Sequence, residues 1–299
     1  MSAVASPSQV HVRRLAGEAV SSAEVALAAG LFIIATGLAA VAVLGPFVSG
    51  VVEYHVTETL RNQTIGLDAV SLLVVAPLSL VAALLVLRRH IAGPALALGV
   101  GAYTSYMFVQ YTLGPEYERL PGNNQLLFPF YLVLFAAGWL VALAAWNSFD
   151  VGPLPRSRRR DRLIGRIVLP LLAFVVFFRY IPALTDWMGA QPGDSGYLAG
   201  PTFSWAIALL DLGVFLPATT IACVGLVRGT SWAQKALYTV VGWFGLVGPA
   251  VAAMAITMYV NDDPNAAGGN AVFMTALGLA FAALAVYLCR PLFARVRSH

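Results

Sequence analysis

Uncharged apolar runs of about twenty residues recur along the chain, separated by short clusters of charge. A helix rises 1.5 Å per residue, so a run of that length crosses a hydrocarbon core roughly 30 Å thick. The first run lies near 25–46, inside the interval from Glu24 to Glu53. The second falls between Asp68 and Arg88, the third between His90 and Glu116, and the fourth between Arg119 and Asp150. The seventh and eighth fall between Lys235 and Asp262 and between Asp263 and Arg290. Two runs carry a charge: the fifth, near 165–185, holds Arg179, and the sixth, near 202–227, holds Asp211. Each charge costs at least ~2.5 kcal/mol on insertion, which the flanking apolar sequence carries. The pattern predicts an all-α polytopic membrane bundle of about eight transmembrane helices.

Composition supports this solvent. The 299 residues are 59% hydrophobic and 11% charged, with a mean hydropathy of +0.79. A soluble domain carries roughly 25% charged residues and could not cover its surface with so few.

The charge distribution orients the bundle. With the N-terminus inside, the cytoplasmic segments hold fifteen of the eighteen basic residues, among them Arg13, Arg14, Arg88, Arg89, Arg156, Arg158 to Arg160, Lys235, Arg290, Arg295 and Arg297. The outside keeps Arg61, Arg119 and Arg179. The positive-inside bias thus predicts N-in and C-in. The formal charge of +4 is accounted for by topology and by contact with membrane lipids, so no nucleic-acid partner is expected. Arginine in place of lysine, with abundant Ala and Val, points to a GC-rich bacterial genome and hence to the bacterial cytoplasmic membrane. Cys223 and Cys289 lie in apolar runs and read as core residues.

Spans two and three align without gaps onto spans six and seven. Pro77 to Arg88 and Pro217 to Arg228 are both eleven residues; Arg88 to Tyr103 and Arg228 to Trp243 are both fifteen. This predicts a 4+4 parallel repeat, with an N-terminal segment 1–23, a first half 24–147, a basic linker 148–164, a second half 165–290 and a tail 291–299. Repeats with proline-interrupted helices in matching positions direct attention to a site between the halves.

The stretch Gly66-Leu67-Asp68-Ala69-Val70 with Pro77, Tyr103 and Tyr106 is similar to the first half of a widespread family of uncharacterised bacterial integral membrane proteins. Ile181-Pro182-Ala183-Leu184, then Leu210-Asp211-Leu212-Gly213 and Pro217, resembles its second half. The resemblance covers roughly 60–250 and departs at the longer, more charged loop Gly114–Gln125. It implies the topology and singles out both Asp residues, but no substrate.

Candidate chemistry is sparse. Asp211 lies 17 residues from Arg228, about 25 Å of helix, and therefore in the outer third of the membrane. Arg179 lies at a similar depth, and pairing is the cheapest arrangement for two such charges, which predicts that they meet. Asp68 sits on the outer side of Pro77. Tyr103 and Tyr106 read either as cavity lining or as an interfacial belt. His55, with Glu53 and Glu58, is a weak metal or proton-transfer signature, and no metal or cofactor is expected. Gly242, Gly245 and Gly248 form a small-residue stripe suited to helix packing. Asn62-Gln63-Thr64 fits a glycosylation pattern that a bacterial protein would leave unused.

Three functions fit. The first is a small-solute transporter or solute-binding membrane protein with an outward-facing site between the halves near Asp68 and Asp211. The second is a membrane-embedded enzyme acting on a lipid-borne substrate at the outer face. The third is an accessory subunit of a larger membrane assembly.

Overall fold

The structure is a computed structural model, and it describes residues 20–152 and 158–293. Arg13, Arg14, Arg156, Arg295 and Arg297, with most of the N-terminal segment and tail, lie outside the described residues.

The described residues form eight long helices and no strand: α1 (Ser22–Leu44), α2 (Glu58–Leu87), α3 (Ala92–Leu113), α4 (Phe128–Ser148), α5 (Arg158–Trp187), α6 (Pro201–Arg228), α7 (Trp232–Val260) and α8 (Gly268–Phe293). One helical turn, Ser195–Ala199, precedes α6. Seven of the eight are long and apolar enough to cross a membrane. The exception, α3, is long enough but carries Tyr103, Thr104, Ser105, Tyr106, Gln110 and Tyr111. It can be polar because it is central, and all six of these side chains are buried.

Two expected boundaries move. The α2 helix begins at Glu58, well before Asp68, so Asp68 lies inside the helix rather than at its outer edge. Likewise α5 begins at Arg158, within the expected linker, because its basic first turns continue into an apolar run.

The first four helices close on themselves: α1 packs on α2 and α4, and α3 packs on α2 and α4. The last four form a row, α5 on α6, α6 on α7 and α7 on α8, with no comparable α5–α8 contact to close it. The halves meet where α7 lies across the outer part of α2 and across α3. Backbones touch there. A Cβ on Gly99 would lie 2.8 Å from the Gly242 Cα, and Gly66 meets the backbone of Ala253 and Met254. Gly245 and Gly248 face Ala285 and Phe281 of α8, so the glycine stripe is packing surface on both sides of α7.

Polar groups pin the seam at its acidic end. Buried Asp263 accepts from Thr59 Oγ1 (3.1 Å), Asn62 Nδ2 (2.9 Å) and the Asn265 backbone (2.8 Å). The Asn62 amide is thereby consumed inside the protein. At the basic end, Lys235 Nζ donates to the Trp146 carbonyl (2.8 Å), tying α7 to α4.

Three helices contain a π turn: Ser71–Val75 in α2, Val176–Tyr180 in α5 and Asp211–Phe215 in α6. Each begins the same distance before a proline, Pro77, Pro182 and Pro217. Proline lacks an N–H and its ring crowds the carbonyl four residues back, and the wider turn relieves both. The turns of α2 and α6 coincide under the sequence alignment of the two halves.

Gly99→Leu should force α3 and α7 apart and lower the unfolding temperature of the detergent-purified protein strongly, since overpacking alone costs ~1–3 kcal/mol. Gly269→Leu, where a Cβ meets nothing within 4 Å, should leave it unchanged.

Candidate functional site

The α3 helix hands a tyrosine to each intramembrane carboxyl. Tyr111 Oη donates to Asp68 Oδ1 at 2.5 Å, and Tyr106 Oη donates to Asp211 Oδ1 at 2.8 Å. Tyr103 Oη hydrogen-bonds Ser71 Oγ at 2.9 Å, at the start of the first π turn. Tyr103 and Tyr106 are therefore interior groups and not an interfacial belt.

Asp211 opens the α6 π turn, and its second oxygen accepts from Tyr180 Oη, at the end of the α5 π turn. Both oxygens are thus satisfied by hydroxyls. The expected Arg179–Asp211 ion pair does not form: Arg179 is exposed, with its guanidinium 5.5 Å from the centroid of the neighbouring Tyr180 ring. A buried hydroxyl answers a carboxylate without bringing a second charge out of water, whereas Arg179 reaches outward with its long stem. The only sequence signal for Tyr180 is its place beside Arg179.

Asp68 is different. It is fully buried, at 0% exposure, and its Oδ2 has no hydrogen-bond partner among the described residues. Gly45, just past the end of α1, allows this placement. A Cβ there would lie 2.8 Å from Asp68 Oδ2, 2.9 Å from the Val41 carbonyl oxygen and 3.5 Å from Tyr54 Oη. The hydroxyls of Tyr54 and Tyr131, both buried, lie beside each other and have no further hydrogen-bond partner among the described residues. The Tyr54 and Tyr131 rings each pack against Tyr111, at 5.4 and 6.0 Å between centroids. Gly45, Tyr54 and Tyr131 carry no local sequence signal, because the α1–α2 connection that holds Gly45 and Tyr54 is far in sequence from Asp68's partners on α3 and α4.

A narrow cleft, about 30 Å³ in volume, opens on this cluster from the acidic end. It lies on the seam, lined by Gln63 and Thr64 of α2, Gln110 and Tyr111 of α3, Phe203 of α6 and Met254 of α7, with Tyr54 from the α1–α2 loop. A wider depression beside it, about 250 Å³ in volume, holds Glu53 and Arg61 and shares Tyr54.

His55 belongs to neither. Its Nδ1 lies 2.5 Å from the Leu120 carbonyl and its Nε2 lies 2.6 Å from Gln125 Oε1. Its own backbone carbonyl accepts from the Glu116 N–H at 2.7 Å. The ring joins the α1–α2 loop to the α3–α4 loop, and both nitrogens are occupied. The Glu53 backbone takes part in the same seam, donating to Asn123 Oδ1 at 2.8 Å, while its side chain is exposed. No cluster of three or more His, Cys, Asp or Glu suited to a metal exists among the described residues.

The chain is similar to the rhomboid-type serine protease 2 of Saccharomyces cerevisiae, at 30% identity over 115 residues. The match covers 38% of this chain and 44% of that protein, so the chain spans less than half the length of the curated relative it matches. No protein-family model matches, and no solved structure matches. The resemblance to a bacterial family read from short motifs gains no support from these comparisons. A serine nucleophile needs an adjacent base. Among the described residues no serine hydroxyl is hydrogen-bonded to an imidazole: His55 is engaged as above, and His90 Nδ1 accepts from the Ala92 N–H at 3.2 Å. The protein is an integral membrane protein with a cleft on its helical seam.

His55→Ala should lower thermal stability by about 1–3 kcal/mol, because it removes a buried ring that joins two loops and strips the partner from the half-buried Leu120 carbonyl. Glu53→Gln should leave stability unchanged, since only the Glu53 backbone is bonded. Unfolding of the two purified variants in detergent compares them.

Proposed function

We propose that this protein binds a small polar solute from the outer face and moves it across the membrane, with the seam cleft as the entry site. The observation that carries this reading is the position of Tyr111. Its ring lines the cleft, and its hydroxyl holds the buried carboxyl of Asp68. A solute seated against Gln63, Thr64 and Gln110 is therefore one side chain away from an intramembrane charge. The cleft's mix of apolar walls with few polar groups is what small-molecule sites use, and its narrowness means that a solute enters as the helices part at the seam. Placement between the halves is where transporters built from repeats bind substrate. The π turns beside Ser71 and Asp211 are local irregularities of the kind found at functional sites.

Membrane-embedded catalysis on a lipid-borne substrate is the second reading, and the observation favouring it is the partial likeness to a rhomboid-type serine protease. Labelling by a fluorophosphonate probe separates the two: a serine enzyme of that kind labels, whereas a solute carrier does not.

The direct test screens small polar solutes, including amines, amino acids and sugars, against the protein in lipid nanodiscs, followed by flux into proteoliposomes. At least one class should raise the unfolding temperature and be carried. Gln110→Leu should abolish both effects while leaving the unliganded protein as stable as before. A screen with no stabilising solute, together with covalent labelling by the fluorophosphonate, would overturn the transport reading in favour of catalysis.

A further inference from the structure

The oxygens gathered around Asp68 face no positive charge from the described residues. Asp68 Oδ2 is buried and without a hydrogen-bond partner among the described residues, and the buried hydroxyls of Tyr54 and Tyr131 have no partner there beyond each other. They do not lie apart. Asp68 Oδ2 and Tyr54 Oη, with the Val41 carbonyl oxygen, all fall within 3.5 Å of the point where a Gly45 Cβ would stand. The Tyr131 hydroxyl faces that of Tyr54.

The placement is electrostatically wrong for a bare carboxylate. The last carbonyls of α1, Val41 among them, carry the negative end of the helix dipole, and a carboxylate belongs at the opposite end. The groups facing Asp68 are all neutral side chains or backbone: Tyr54 from the α1–α2 loop, Tyr103 and Tyr111 from α3, and Tyr131 from α4. Among the described residues no Arg, Lys or His forms an ion pair with it. Asp211, by contrast, has both oxygens bonded to hydroxyls.

We propose that Asp68 Oδ2, Tyr54 Oη, Tyr131 Oη and the Val41 carbonyl oxygen bind one alkali-metal cation, which enters from the acidic end. One carboxylate among neutral oxygens balances a single positive charge. A divalent ion would leave an uncompensated charge in the membrane, and hard oxygen ligands with no sulfur or free imidazole exclude the softer metals. Glu53 and Arg61, both exposed in the depression that shares Tyr54, balance each other in charge there. The cation and the solute would occupy opposite sides of Tyr111, which makes this the co-ion of the transport reading. The inference rests on that reading for its purpose but not for its measurement.

The full-length protein in lipid nanodiscs, without added solute, is titrated with NaCl, KCl or LiCl against choline chloride at constant pH and ionic strength. Thermal unfolding and binding of radioactive sodium are read together. A saturable rise of several degrees with an alkali cation, absent with choline, and one bound sodium per chain are expected. Asp68→Asn should abolish both, and Tyr131→Phe, which keeps the ring packing, should weaken binding roughly tenfold. Asp211→Asn should leave both intact. Equal stabilisation by choline, absence of saturable sodium binding, or full binding in Tyr131→Phe would overturn the site. Solute binding that persists under any of those outcomes would sink the cation inference alone and leave the solute cleft standing.

Discussion

In a hydrocarbon solvent every ionisable side chain must find its partners inside the protein, and α3 is where this chain meets that requirement. Tyr111 reaches Asp68 of α2, Tyr106 reaches Asp211 of α6, and Tyr103 reaches Ser71. The helix that provides these hydroxyls is too polar to face lipid, so it must be enclosed. Enclosure by α2 and α4 within its own half, and by α6 and α7 from the other, follows from that need. The glycine crossing at Gly99 and Gly242 brings α7 close enough to complete the wall. The seam cleft is what remains at the acidic end, where α2, α3, α6 and α7 diverge.

The two acids have equivalent neighbours but different states of satisfaction. Asp211 receives a second hydroxyl because α5 carries its own π turn, which delivers Tyr180. Asp68 has no such helix beside it. Its other side is the end of α1, where Gly45 admits the carboxyl against backbone carbonyls instead of donors. Local backbone irregularity thus separates a carboxyl with both oxygens bonded from one whose second oxygen has no hydrogen-bond partner among the described residues. In each case the irregularity traces to a named residue: Pro182 behind the α5 turn and Gly45 beyond α1.

The acidic end illustrates how few of its charges are free to act. Asp263 is committed to the α2–α7 seam, and Glu116 accepts from the Thr202 N–H at the start of α6. Asp186 accepts from the backbone of Gly193 and Asp194. His55 is held by two loop oxygens. These contacts brace long loops that would otherwise leave backbone groups unpaired near the membrane. They leave Glu53 and Arg61 as the charged groups bordering the entry to the Asp68 cluster.

The sequence alone determined the solvent, the number of long helices and the residues that would be costly in lipid. Those depend on run length, composition and isolated charges, all of which are local. It also located the prolines that coincide with the π turns of α2 and α6, since the cause of each turn sits in the same helix. It did not reveal that Asp211 answers to Tyr180 instead of Arg179. That choice depends on which face of α5 turns inward, and adjacent residues on a helix point about 100° apart. Nor did it reveal the Asp68 cluster, which assembles Gly45 and Tyr54 of the α1–α2 connection, Tyr111 of α3 and Tyr131 of α4. Only tertiary packing brings them together, because unpartnered oxygens converge through the closing of the α1–α4 ring and not through any spacing along the chain.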